Sequence, residues 1–133
     1  MTSEPISGKN TNEIEFDFSS LDSILEVKMP ANLKISDVLD YYKTIKKSDE
    51  YPQDLKVLID AEYTVFMFIP HDLDEIKEAV EDTLESYTSI KEALVTSKPV
   101  STAIAMLFGE IEIKNYEFRA FYTQSAARKW LKE

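Results

Sequence analysis

Apolar and polar residues alternate strictly from residue 13, with Ile14, Phe16 and Phe18 on one face and Glu13, Glu15 and Asp17 on the other, as a strand with one wet face requires. A second alternation sets Leu25, Val27 and Met29 against Glu26 and Lys28. The five residues 19–23 between them suit a hairpin loop, so the two strands should pair antiparallel, and Pro30 stops the second. Ser36 is placed to accept from the free amides of a helix that carries Val38, Leu39, Tyr42 and Ile45 on one face and ends near Lys47. Turn residues 48–53 precede a strand over 55–60, whose run Val57, Leu58 and Ile59 implies cover on both faces. A second helix begins near residues 70–72, with Asp72 and Glu75 at capping-box spacing and a stripe of Leu73, Ile76, Val80, Leu84 and Tyr87. Residues 90–95 form a fourth strand. Pro99 opens a third helix, with Val100, Ala103, Ile104, Ala105, Met106, Leu107 and Phe108, which is expected to be buried on most sides. A strand over 116–122 follows, and Thr123 caps a last helix carrying Ala126, Ala127, Trp130 and Leu131. The order ββαβαβαβα predicts an α/β fold: a five-stranded mixed sheet, with an antiparallel opening hairpin and then parallel strands, and four helices.

One stretch does not read as a connector. Residues 63–69, Tyr-Thr-Val-Phe-Met-Phe-Ile, are continuously aromatic and aliphatic, whereas loops are ordinarily polar. They are expected to form a short extra strand or lid packed on the second helix, or else to line an apolar pocket or an interface. If extended, they turn Phe66 and Phe68 to one side and Met67 to the other.

Length and charge then narrow the function. The chain of 133 residues fits one domain over 13–133, preceded by a polar tail over 1–12 that is expected to be flexible. With 15 basic and 25 acidic side chains the net charge is −10, which repels a phosphate backbone and argues against nucleic acid as a partner. There is no cysteine, one histidine, and only two glycines, Gly8 and Gly109, so thiolate chemistry and phosphate-cradling loops are absent and no cofactor or metal is expected. The longest uncharged apolar run is the eight residues 63–70, too short to cross a bilayer, and residues 1–12 lack the apolar core of a signal peptide, so a cytoplasmic protein without membrane insertion is expected.

Polar candidates for chemistry are few. His71 lies beside Asp72, Asp74 and Glu75, but neighbouring positions in a first helical turn splay apart, which suits charge stabilisation of a helix start rather than a metal or catalytic site. Asp60 and Glu62 fall at the carboxyl edge of the central strand, where open α/β sheets bind ligands, and read as hydrated loop acids without a positioned partner. Ser97, Ser101 and Thr102 surround the start of the third helix, where they serve as caps or hold an anion, with Lys98 the one cation nearby. Charge is uneven: residues 72–85 hold seven acids and one base, whereas residues 114–133 hold five bases and two acids. This is a solvated helix face, or a docking surface for a basic partner such as Arg128, Lys129 and Lys132 of a second copy. Asp60, Glu62, Tyr63, Phe66, Met67, Phe68, His71, Ser101 and Thr102 form the candidate interaction or ligand surface.

The strand ending Leu25-Glu26-Val27-Lys28-Met29, the pair Tyr51-Pro52 before Leu55-Lys56-Val57-Leu58-Ile59-Asp60, the helix after Pro70, the segment Asn115 through Phe121 and the ending Ala126-Ala127-Arg128-Lys129-Trp130-Leu131 together resemble the STAS-like family. This family comprises the small domains of anti-sigma-factor antagonists and sulfate-transporter tails, and the likeness is to its stand-alone, uncharacterised bacterial branch. Antagonists switched by a kinase carry an Asp-Ser-Ser-Gly-like phosphoacceptor motif just before the second helix. Laid on that pattern, this chain has Met67-Phe68-Ile69-Pro70-His71, without a hydroxyl. The resemblance thus implies a non-enzymatic, regulatory protein-interaction module lacking the phosphoacceptor serine, which binds another protein or itself as a homodimer. The alternative it leaves is a carrier or sensor of a small apolar ligand.

Overall fold

The computed structural model describes residues 13–133, so the tail expected over residues 1–12 lies outside them. The elements follow as β1 (Glu15–Ser19), β2 (Ile24–Lys28), β3 (Asn32–Leu33), α1 (Ile35–Lys47), β4 (Asp54–Asp60), β5 (Val65–Phe66), α2 (Leu73–Thr83), β6 (Ser89–Val95), α3 (Pro99–Gly109), β7 (Tyr116–Phe121) and α4 (Gln124–Leu131). The main sheet runs β1-β2-β4-β6-β7. Its first pair is antiparallel and the other three are parallel, as the order of elements predicts. The short strands β3 and β5 make a separate parallel ladder, which is the extra strand anticipated for the 63–69 stretch.

Strand alternation divides the core into two layers. Val57 and Ile59 of β4 face the larger layer, filled by side chains of α1, α2 and α3, while Leu58 joins Ile24, Ala93 and Val95 against Ala127 and Leu131 of α4. The central strands are therefore covered on both faces, which explains the uninterrupted apolar run of Val57, Leu58 and Ile59 in β4. The α2 stripe of Leu73, Ile76 and Val80 is buried, and Tyr87 beyond it is buried as well. Thr123 caps α4 by accepting from the Ala126 amide at 3.1 Å.

Four local expectations are corrected. Helix α1 begins at Ile35, so Ser36 lies inside it, and the start is held instead by the Asp37 carboxylate, which accepts from the Lys34 amide at 2.9 Å. Its buried face is Val38, Tyr41, Tyr42 and Ile45, which replaces Leu39 with Tyr41. Before α2 a single 3-10 turn spans Pro70–Asp72, and the Asp72 carboxylate accepts from the Ile69 amide at 3.0 Å, one turn earlier than the Asp72 and Glu75 pairing assumed. Helix α3 turns only Ser101, Ile104, Ala105 and Phe108 inward and leaves Val100, Met106 and Leu107 exposed. It packs on β7, the last strand of the sheet, and no element among the described residues lies beyond it.

The deepest polar contact sits where α1 meets the sheet. Glu92 of β6 has no exposed surface, and its carboxylate accepts from the hydroxyls of Tyr41 at 2.6 Å, Tyr42 at 2.8 Å and Tyr116. A buried charge is tolerated when its lone pairs are filled, and three phenols from α1 and β7 fill them here. Burial pushes the Glu92 carboxyl above its ordinary value of 4.5, against the downward pull of the three hydroxyls. The three phenols are held well above 10.0, first by burial and then by the Glu92 charge.

Glu92→Ala would strand three buried hydroxyls without their acceptor, and we expect a loss of about 3–5 kcal/mol in urea unfolding. The folded phenols keep their protons where unfolded ones would lose them, so their share of stability is complete below the unfolded pKa and falls as pH rises beyond it. The urea midpoint should therefore decline as pH passes about 10. An alkaline midpoint that stays flat, or an alanine variant as stable as the parent, contradicts this account.

Candidate functional site

Residues 61–69 form a flap pinned along its backbone. The Ala61 amide donates to the Val95 carbonyl at 2.9 Å, and the amides of Val65 and Met67 donate to the carbonyls of Ala31 and Leu33, both at 2.8 Å. Thr64, inside the flap, donates its hydroxyl to the Pro30 carbonyl at 2.8 Å, and the Ser101 hydroxyl donates to the Thr64 carbonyl at 3.2 Å. Ser101 thus ties the start of α3 to the flap instead of capping its own helix. With the backbone extended, alternate side chains take opposite sides. Phe66 and Phe68 turn inward with their rings stacked 5.2 Å apart, while Tyr63, Val65, Met67 and Ile69 turn outward.

The outward four are exposed, Tyr63 at 77%, Met67 at 57% and Ile69 at 60%. Beside them α3 carries no charged residue from Pro99 through Gly109, and Val100, Ala103 and Leu107 are exposed on its outer side. Each large apolar side chain left in water forgoes about 1.5–3 kcal/mol of burial, so an unshielded cluster of this kind is costly unless something covers it. Helix α2 is strongly acidic in contrast, with exposed Asp74, Glu75, Glu78 and Glu81. Asp82 and Glu85 are engaged by Lys46.

Under the flap lies a cavity of about 60 Å³, walled by apolar side chains that include Leu33, Phe66, Phe68, Ile76 and Phe108. A dry cavity of about 150 Å³ is what benzene needs, so this space holds no molecule of that size unless Phe66 and Phe68 move.

The remaining sequence candidates have local uses or none. Asp60 accepts from the Glu62 amide at 3.2 Å, closing a turn at the end of β4, and the Glu62 carbonyl accepts from the Ser97 hydroxyl at 3.3 Å. His71 is exposed in the 3-10 turn. The Thr102 hydroxyl is buried and has no partner among the described residues. Phe68 is buried at 8% exposure and belongs to the core, so it supports the surface rather than forming it. Arg128, one of the three bases offered as an alternative docking partner for an acidic helix of a second copy, joins Glu26 and Asp22 of its own chain. Among the described residues, no three His, Asp or Glu side chains converge as metal ligands would, and no helix is long and apolar enough to cross a membrane. Two parts of the arrangement escaped the sequence reading. The exposed side of α3 is signalled by its uncharged run, which reads from the sequence as burial on most sides; Glu92 bears no signal, since a lone acid in a strand ordinarily faces water.

No family model and no curated protein matches the chain. Among solved structures it is similar to an uncharacterised protein of the DUF3478 family with a SpoIIAA-like fold from Shewanella loihica PV-4, with 16% identity, a TM-score of 0.57 and 98% of each chain covered. The fold is therefore SpoIIAA-like, the STAS-like architecture that the sequence wording resembles.

Inward and outward positions of the flap should separate cleanly in unfolding experiments. Phe68→Ser should cost about 3–5 kcal/mol, as for other buried phenylalanines, whereas Met67→Ser should stay within about 0.5 kcal/mol. Equal losses at the two positions would show that the flap is ordinary core throughout.

Proposed function

We propose that this STAS-like module is a non-enzymatic, regulatory protein-interaction domain that has lost phosphorylation switching and binds a partner protein through the outer face of the flap and α3. The observation that carries the reading is the set Tyr63, Val65, Met67 and Ile69, all turned to solvent beside the uncharged side of α3. A partner that covers it presents apolar side chains, and basic residues at its margin where α2 is acidic. Acid–base catalysis finds little to work with, since the chain has one histidine and no cysteine, and Asp60 is engaged in a turn. The segment over the phosphoacceptor position is Met67 to His71, and the nearest hydroxyl, on Thr64, is buried and bonded to Pro30. A cytoplasmic site of action goes with this reading.

In-cell photo-crosslinking from position 63 should give a discrete adduct with a second protein, and Val65→Ser with Met67→Ser should abolish it without lowering the melting temperature. An adduct indifferent to those substitutions, or none at all, contradicts the interaction role. Incubation with serine kinases and ATP should leave Thr64, the hydroxyl nearest to the segment Met67 to His71, unmodified by mass spectrometry, and a phosphate mapped to it would refute the lost switch.

The cavity under the flap supports a second reading, a carrier or sensor of a small apolar molecule, because its walls are apolar and, of its two flap phenylalanines, Phe66 sits on the short β5 ladder and Phe68 lies two residues beyond it. Native mass spectrometry separates the two: a co-purifying apolar ligand lost in Phe66→Trp favours the carrier, and a ligand-free protein disfavours it.

A further inference from the structure

The two edges of the main sheet, β1 and β7, differ in charge pattern. On β1 the exposed residues Glu15 and Asp17 are both acidic, so two copies of that edge would oppose like charges. On β7 the exposed residues are Glu117 and Arg119, of opposite sign and two positions apart on one face.

The register on β6 decides which backbone groups of β7 are free. The Ile90 amide donates to the Asn115 carbonyl and the Thr96 amide to the Phe121 carbonyl, both at 3.0 Å. In a parallel ladder this turns the groups of Glu117, Arg119 and Phe121 toward β6 and those of Tyr116, Phe118 and Ala120 outward. The Tyr116 amide is taken by the Ile113 carbonyl at 3.2 Å, while the amides of Phe118 and Ala120 have no acceptor among the described residues. Alongside runs a crevice of about 460 Å³ between β7 and the side of α3 that bears Thr102, Met106 and Gly109. The buried hydroxyls of Thr96 and Thr102 lie in it unpartnered among the described residues.

We propose that this edge is a homodimer interface, in which a second copy lays its own β7 antiparallel against the first, centred on Phe118, and joins the two sheets into one. This goes beyond the flap reading and uses a different surface. The outward groups permit two-fold pairing centred on residue 117, 118, 119 or 120. Centring on 117 opposes Glu117 to itself, and centring on 119 opposes Arg119 to itself. Centring on 120 leaves both charges unmatched. Only centring on 118 sets each Glu117 against Arg119 of the second copy, twice, by symmetry. The two-fold axis then stands perpendicular to the sheet, so both α3 helices lie on the same side. Their Thr102, Met106 and Gly109 sides face each other across it, which covers Met106, 62% exposed in the single chain. Residues 114 and 115 of the second copy come opposite 122 and 121, at the end of the crevice that holds the two hydroxyls.

Light scattering on the full chain should give twice the monomer mass at micromolar concentration. Glu117→Arg and Arg119→Glu should each yield monomer with an unchanged melting temperature, and the double variant, with the charges exchanged, should dimerise again. Because the chain has no cysteine, a Glu117→Cys and Arg119→Cys double variant offers only the thiols introduced. Non-hydrogen-bonded antiparallel pairs stand about 4.5 Å apart at Cα, within disulfide reach, so oxidation should join 117 to 119 of the second copy in peptide maps. A chain that stays monomeric, a dimer that ignores either single reversal, or one that the double reversal fails to restore overturns the proposal. Flap variants such as Met67→Ser leave this dimer intact, which keeps its outcome separate from that of the flap reading.

Discussion

A single buried carboxylate holds the large layer of this domain in place. Glu92 lies on β6, the strand between β4 and β7, on the face that α1, α2 and α3 cover. An ionised group there is tolerated only while its oxygens are filled by donors. Those donors come from two elements far apart in the chain: two consecutive tyrosines of α1, and Tyr116 at the start of β7. The requirement sets the height and rotation of α1 on the sheet, because Tyr41 and Tyr42 both have to reach one carboxylate. It also ties the last strand to the first helix, and the Tyr87 hydroxyl extends the clamp by donating to the Ile45 carbonyl at the end of α1.

With α1 and α2 anchored over the middle of the sheet, the periphery has few neighbours. The flap crosses the mouth of the layer on a ladder only two residues long on each strand, and α3 lies over the sheet's edge with one flank open. Both elements are apolar on the inside, as the core requires, and apolar on the outside as well, which the core does not require. Charge is distributed in the opposite sense: the acids crowd onto α2, whereas Arg128 is paired with Glu26 and Asp22 inside the chain. The surface most in need of cover is therefore the one with the least charge of its own.

Most of the architecture was legible in the pattern of residues. Alternation over residues 13–29 yields the hairpin, the uninterrupted run of Val57 to Ile59 yields a central parallel strand, and the stripes yield the helices, because strand and helix periods are imposed locally by the backbone. The flap was legible too, as an anomaly, and the opposite orientations of Met67 and the two phenylalanines follow from extended geometry alone. The errors cluster where a neighbour decides the outcome. Asp37 takes the capping role from Ser36, and Tyr41 displaces Leu39 from the buried face because a carboxylate fifty-one positions later needs its hydroxyl.

By itself, then, the order of residues determined the sequence of the main-sheet strands and helices, the direction of each strand pair in that sheet and the scarcity of catalytic groups, since periodicity and composition are properties of short stretches. Tertiary structure alone decided that Glu92 is a core residue, that Phe68 is core while Met67 is surface, and that one side of α3 stands uncovered. It also decided which amides of β7 face solvent. Burial and hydrogen-bond partnership depend on what lies across the sheet or beyond its edge, and residues distant in the chain meet there only after the fold has closed.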